Sequence, residues 1–464
     1  MRWQTCVGFT LTIILAAIFL IGCGGNSTQP GTVNLSLSDP ATCAAPQGPF
    51  SHIYVTITDV QIHQSADASA NDAGWVHLAP ALKNNPVQAD LLGVANQCFL
   101  AMLGSTGIQP GTYQQLRVFL AKDGISVNNN KCGIASNCAM LTSDPLNTPL
   151  SLQLSSETQT GIKVPSGQIA GGKFVVGSGE TKDLNLDFNA CASIVFQGNG
   201  KYRLKPVLHA GEVSLTSAST AISGTIIDGT TKNPVVGGNT VVALEQKDNA
   251  GIDRVIMETV ATSNGGFAFC PVPHGTYDVV AVAIDGTGNE YAATVITGVQ
   301  PGDSLGTVPL TSPPVAPATI TVPITTSTGS TGTVADLSVS ALQSIGSVLA
   351  TIPLAQQSAA TATVTTAPNS SCAANTDCAS QPLAVPASNP SVGTFVVGNQ
   401  TPNAPAGPPV TYTVDANAFV PLTAGQPDCT ASNVQTSQDA SNNPLTVTAG
   451  GSVTSATLVF TGCL

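Results

Sequence analysis

Near the start of the chain Val33, Leu35 and Leu37 alternate with Asn34, Ser36 and Ser38. The pattern returns at Ile53, Val55 and Ile57, at Leu116, Val118 and Leu120, and at Leu184, Leu186 and Phe188, followed by Tyr202 and Leu204. A period of two sends successive side chains to opposite faces, so each run predicts a strand with one buried and one wetter face. Turn residues recur about every ten positions, which fits β-sandwiches better than α/β units. Helical spacing is scarce. Leu342, Ile345, Val348 and Leu349 show it, yet Leu337, Val339 and Ala341 just before them alternate as a strand would, and both readings stand there. The fold class expected is all-β, with three consecutive β-sandwich-type domains.

A different pattern opens the chain. Arg2 precedes an apolar run from Val7 to Ile21, broken by Gly8, Thr10 and Thr12. This is shorter than the roughly 20 residues needed to cross a bilayer, so it reads as the core of a signal peptide. The run ends in Leu20-Ile21-Gly22-Cys23, which resembles a bacterial lipobox. The resemblance implies a signal peptide over 1–22, a lipid-modified Cys23 and a short tether over 23–30. Gly24 stands where an Asp would imply inner-membrane retention, which points to the outer membrane. Stable anchoring by several acyl chains follows from about 0.8 kcal/mol per buried methylene. The expected location is therefore the cell envelope, with the membrane as partner through N-terminal lipid.

Composition places the boundaries. The Ser/Thr-rich Thr216-Ser217-Ala218-Ser219-Thr220 and the stiff Thr311-Ser312-Pro313-Pro314-Val315-Ala316-Pro317 divide the mature chain into domains over 31–215, 221–310 and 318–464. Hydrophobic residues make up 42% of the chain and charged residues 9%, against about 25% charged in ordinary soluble domains. Lys+Arg 14 against Asp+Glu 26 gives a net charge of −12, which excludes a nucleic-acid partner. Past Arg254 the chain has no Lys or Arg, while 318–464 keeps five acids: Asp336, Asp377, Asp415, Asp428 and Asp439. A surface of Thr, Ser, Asn and Gln suits an envelope protein and argues against ion-pair-driven partners.

Of 12 cysteines, Cys6 leaves with the leader and Cys23 takes lipid, so ten remain for an oxidising compartment. Cys132/Cys138 and Cys372/Cys378 are local C-x5-C pairs, a spacing wrong for a redox C-x-x-C or zinc knuckles. Cys429 and Cys463 would tie down the C-terminal part. Cys43 is set with Cys98, and Cys191 with Cys270 by elimination.

Two regions resemble known families. Gly31-Thr32-Val33-Asn34-Leu35-Ser36-Leu37-Ser38-Asp39-Pro40, the strand Ile53 to His63, Pro110-Gly111-Thr112-Tyr113-Gln114-Gln115-Leu116-Arg117 and Gly198-Asn199-Gly200-Lys201-Tyr202-Arg203-Leu204-Lys205-Pro206 resemble a domain-of-unknown-function family of bacterial lipoproteins. That family brings no established activity. Ile222-Ser223-Gly224-Thr225-Ile226-Ile227-Asp228, Ser263-Asn264-Gly265-Gly266-Phe267-Ala268-Phe269 and Pro273-His274-Gly275-Thr276-Tyr277-Asp278-Val279 resemble the carboxypeptidase-regulatory-like, transthyretin-like β-sandwich. This likeness implies a carbohydrate-binding-like fold, which does not itself confer sugar binding. Pro110-Gly111-Thr112-Tyr113 repeats the device at Tyr277, so both regions are expected to start a strand on an anchored tyrosine.

Catalytic motifs are sparse. The chain carries no G-x-S-x-G elbow, H-E-x-x-H helix, P-loop or G-x-G-x-x-G after a strand, so neither an enzyme nor a cofactor or metal is expected. His209-Ala210-Gly211-Glu212 is the one H-x-x-E, the pair zinc carboxypeptidases use; a strand at a domain junction is the competing reading. His52, His63 and His77 could form a metal site only if their strands converge. Asp285-Gly286-Thr287-Gly288-Asn289-Glu290 offers oxygen ligands but places Glu290 where an EF-type loop needs Gly, so a hairpin loop is expected. Asp39 before Pro40 reads as a turn start, and Arg117 as half of a buried or edge ion pair. Trp75, Tyr202 and Tyr291 are candidates to stack on sugars, with Trp75 the ligand-binding candidate. The expectation is a non-catalytic, lipid-anchored binding or scaffold protein, its partner a polysaccharide or an envelope protein. The alternative is a carbohydrate-binding lipoprotein that captures polysaccharide; the weaker one is a zinc-dependent peptidase or its accessory.

Overall fold

The computed structural model describes residues 29–38, 50–66, 68–69, 71–92, 101–154, 161–164, 166–198, 201–204, 208–213, 221–346, 348–419, 434–437, 439, 441 and 443–461. Residues 1–22, expected to be a signal peptide, Cys23, Asp39, Cys43, Cys98, Cys429, Cys463, the 216–220 segment and the side chain of Cys191 lie outside these residues. Strands make up the regular structure of what is described; the helical pieces are a four-residue turn, Ala190–Ser193, and short 3-10 turns.

The alternating runs become strands whose apolar members meet in one core. Gly31–Ser38 pairs in parallel with Thr181–Phe188, setting Leu35 beside Leu184 and Leu37 beside Leu186. These two strands sit inside a four-stranded sheet with Leu208–Glu212 and Ala101–Ile108 at its edges. A second sheet is built on the long strand Phe50–His63, with Gln115–Leu120 and Cys138–Leu141 beside it. Val33, Leu35, Leu37, Ile53, Val55, Ile57, Leu116, Val118, Leu184, Leu186 and Phe188 fill the space between the sheets. Burying each such side chain contributes about 1.5–3 kcal/mol.

Residues 222–310 form two facing sheets. One has Gly266–Phe269, Ile222–Asp228 and Ser304–Leu310; the other has Ile252–Val260, Thr240–Lys247, Tyr277–Ala283 and Thr294–Val299. Phe267, Phe269, Tyr277, Val242 and Leu244 pack between them. Gly265 enables the tight turn into the Gly266 strand: its φ is +80°, and a Cβ there would lie 2.2 Å from the Ile226 carbonyl oxygen. Gly265→Ala is therefore expected to cost about 2–3 kcal/mol, since it combines left-handed strain with a backbone clash. Urea unfolding measures this, and a midpoint matching wild type would refute it.

The second sheet continues into the C-terminal region. Ile252–Val260 pairs in parallel with Val348–Thr351, and Thr294–Val299 with Ser391–Thr394. The result is one sheet that also holds Asp336–Ile345 and Val410–Phe419. The ambiguous 337–349 stretch is thus not helical: the strands Asp336–Ile345 and Val348–Thr351 pair antiparallel on either side of a turn at Gly346. A five-stranded sheet around Ala318–Thr326 closes the other side of this core. The Pro-rich segment 311–317 is not a free tether: Val315 exchanges both backbone hydrogen bonds with Glu290, and Ser312 Oγ accepts the Ala292 N–H.

Cys132–Cys138 and Cys372–Cys378 are disulfides, with Cα–Cα separations of 5.5 and 6.1 Å. Cys270 is also disulfide-bonded. The two tyrosines of the repeated device are buried, and each donates its hydroxyl to the carbonyl four residues upstream. Tyr113 reaches Gln109 at 2.7 Å and Tyr277 reaches Pro273 at 2.8 Å. Each bond pins the start of a strand to the loop before it.

Candidate functional site

The residues singled out from the sequence do not converge. Trp75 is half-buried, and the Arg117 guanidinium lies 3.5 Å from its ring centroid. The His63 ring stands 5.0 Å away, and the indole N–H donates to the Ser69 carbonyl. Arg117 thus occupies a face of the ring that a sugar would need, a cation–π contact. Tyr202 and Tyr291, the other candidates to stack on sugars, are not exposed but buried. Tyr202 packs edge-on against Phe50 at 5.3 Å, and the Tyr291 hydroxyl is held by the Asp228 carboxylate.

His63 donates from Nε2 to Ala73 O and accepts the Ser65 N–H at Nδ1. His52 bonds Asp90 at 2.6 Å and His77 bonds Asp59 at 2.8 Å, so each imidazole has its own partner. Asp285 spends one carboxylate oxygen on the N–H groups of Thr287 and Asn289 and the Thr287 hydroxyl, forming a closed hairpin loop. Glu290 points into the interior, fully buried, where desolvation pushes its carboxyl up to about 7. Among the described residues no three His, Cys, Asp or Glu are arranged to hold a metal ion.

His209 and Glu212 lie on the strand Leu208–Glu212, where residues three apart face opposite ways. Glu212 turns out to Lys182 at 2.8 Å, while His209 turns inward. They do not form the zinc pair that the H-x-x-E spelling offers, because that pair requires both side chains on one face.

His209 instead lines a cavity of about 640 Å³ where the three regions of the chain meet. The buried part of its lining carries Gln115, Asn189 and His209 from the first region, Glu258 from the second, and Ser340 and Thr351 from the third. Gly167, Gly171, Lys247, Asn249 and Ala250 form an exposed rim. The Gly171 N–H donates to Gln246 Oε1 at 2.6 Å, and the His274 N–H to the Glu212 carbonyl at 3.0 Å, joining first and second regions beside the cleft.

Burial governs the electrostatics. His209 is pushed down to about 4 by desolvation, so its imidazole is neutral at neutral pH. Glu258 is pushed up to about 7 by burial, which outweighs the hydrogen bonds from the Ala360 N–H and Asn189 that favour its charged form. Asp187 pairs across the sheet with His209 and is pushed up to about 8, first by burial and then by the charge of Glu258. It belongs to a polar ladder between the two parallel strands: Asn34 to Asp183, Ser36 to Asn185 and Ser38 to Asp187. Further along, Glu245 and Asp253 are also raised, by burial and then by neighbouring carboxylates, with Asp253 near 7.

Two arginines bind the third region to the others. Arg203 bonds Asp336 at 3.0 Å, and Arg254 joins Asp415 while also bonding Asp248 at 3.0 Å. The cation-free stretch after Arg254 therefore receives its countercharges from upstream. The absence of Lys and Arg past Arg254, with five acids retained, was the sequence signal for this.

Residues 30–206 match the family model described as "Domain of unknown function (DUF4382)". No curated protein matches the chain. Among solved structures, a leucine-rich repeat protein from Bacteroides thetaiotaomicron aligns at 13% identity over 52% of this chain and 27% of its own, with a TM-score of 0.19. The chain thus spans about a quarter of that protein. A Streptococcal ancillary pilin aligns at 10% identity over 92% and 98%, with a TM-score of 0.17. A candidate carbohydrate-binding protein from Bacteroides uniformis aligns at 14% identity over 45% and 92%, with a TM-score of 0.15.

Proposed function

We propose that this chain is a non-catalytic binding module of the bacterial envelope, carried on lipid at Cys23, with the cleft between its three regions as the binding site. The cleft carries the reading: a space of about 640 Å³, with both polar and apolar walls, is lined by side chains from all three regions. Such volumes are typical of small-molecule sites, at about 300–1,000 Å³. The lipobox-like Leu20-Ile21-Gly22-Cys23 supports the anchor, and the regulatory-like residues of 221–310 support a non-catalytic role. In this reading 31–215, 221–310 and 318–464 act as one clamp and not as beads on a string. The separation of His209 from Glu212 weighs against a zinc peptidase. Polysaccharide capture is the second reading, favoured by the hydroxyl and amide groups in the lining.

Two measurements test this. With radiolabelled palmitate, the full chain is expected to take label and enter the membrane fraction, and Cys23→Ser to lose both; label retained by the variant removes the anchor. A thermal-shift screen of chemically mixed small molecules is expected to find compounds that raise the midpoint of wild type but not of Ala250→Trp, which plugs the rim. Equal shifts in both proteins would place binding elsewhere.

A further inference from the structure

We infer that the cleft takes a neutral, hydroxyl-rich ligand of one or two sugar units, held at its floor by Gln115 and His209. This rests on the cleft being the binding site, as proposed above, and adds the chemistry of the occupant.

Gln115 is 1% exposed and His209 4% exposed, and both line the cleft. Gln115 Oε1 and His209 Nδ1 have no hydrogen-bond partner among the described residues. A buried polar atom left unpaired costs about 1–3 kcal/mol, so a ligand group that pairs with it gains that much selectivity. The amide oxygen accepts only, while the imidazole nitrogen donates or accepts according to tautomer. A hydroxyl can serve both, because it donates one hydrogen bond and accepts two.

Fixed charge is scarce at the floor. Arg254 is committed to Asp248 and Asp415, and Glu258 accepts the Ala360 N–H at Oε2, which leaves Oε1 to take a hydroxyl donor. An anion would find no free cation at the floor, since the lining's one lysine, Lys247, stands on the exposed rim, and a cation would meet a carboxyl whose ionisation burial opposes. Apart from the His209 imidazole, the described lining has no aromatic ring, so nothing stacks on a flat aromatic ligand. Ile169 and Val255 offer small apolar surfaces suited to the C–H face of a sugar ring.

Saturation-transfer NMR on the full chain in detergent tests this, with maltose, cellobiose, glucuronic acid, glucosamine and triglycine as probes. Transfer to a neutral disaccharide is expected, with affinity lowered about tenfold in Gln115→Leu, the loss of one buried hydrogen bond. Ala250→Trp, a change on the exposed rim that spares the core, is expected to abolish it. Transfer to a charged sugar or to triglycine alone, abolished by Ala250→Trp, would overturn the ligand class while leaving the cleft as a binding site. Neutral sugar binding untouched by both variants would overturn the assignment to the cleft. Silence from every probe would overturn the sugar assignment, and the library screen above then decides whether the cleft binds anything.

Discussion

Replacing Asp187 by asparagine is expected to stabilise the protein above about pH 8 and to leave it unchanged below about pH 4. In the unfolded chain this carboxyl ionises near 3.8; in the fold it holds its proton up to about 8, mainly because it is fully buried. A group raised in this way supports the fold fully below its unfolded value, and that support drains away as pH rises through the folded one. At about 1.4 kcal/mol per tenfold change, the loss by alkaline pH is on the order of 5 kcal/mol. Asparagine keeps the shape and the Ser38 hydrogen bond at 3.2 Å without a proton to lose. Glu258, Asp253 and Glu290, each raised to about 7, add to the same slope. His209 opposes it, because its folded value near 4 lies below 6.5, so its contribution is full above 6.5 and fades toward pH 4. Denaturant midpoints across this pH range measure the profile. A variant that tracks wild type at every pH would show that Asp187 is ionised in the fold at no cost.

The second large effect is expected at Arg254. Asp415 is fully buried, and Arg254 is the cation that partly offsets the burial raising its carboxyl. Arg254→Leu strands that carboxylate and is expected to cost about 3–5 kcal/mol at neutral pH. The cost should shrink toward pH 4, as Asp415 takes up a proton. Arg254→Leu combined with Asp415→Leu removes both charges and is expected to recover most of the loss, since replacing a whole buried pair is commonly near neutral. If the double variant is as unstable as the single one, the packing of Arg254, not its charge, holds the strands Ile252–Val260 and Val410–Phe419 in place.

Much of this architecture is legible from local pattern. The period-two runs at Val33, Ile53, Leu116 and Leu184 name their own core members, because the inward face of a strand is set by neighbours two residues apart. The tyrosine device at Tyr113 and Tyr277 is equally local, a bond spanning four residues. The polar alternates are a different matter. Ser36, Ser38, Asn185 and Asp187 read as a wetter face, yet all four are buried, because another part of the chain covers that face. Glu258 meets Ala360, and Arg254 meets Asp415, across more than a hundred residues with no local spacing to mark them. The cleft is made from such encounters, so the H-x-x-E spelling points His209 to Glu212, whereas its cross-strand neighbour is Asp187 and it shares the cleft lining with Glu258. Trp75 shows the converse. Its type invited a sugar, but a buried arginine from a distant strand had already taken a face of its ring.

The arginines that neutralise the buried C-terminal aspartates lie upstream of them. Asp336 and Asp415 lie in a stretch that has no cation of its own, and they are neutralised by Arg203 and Arg254. A chain delivered N-terminus first presents both arginines before either aspartate arrives. The strands Asp336–Ile345 and Val410–Phe419 thus take their countercharge from parts of the chain synthesised before them.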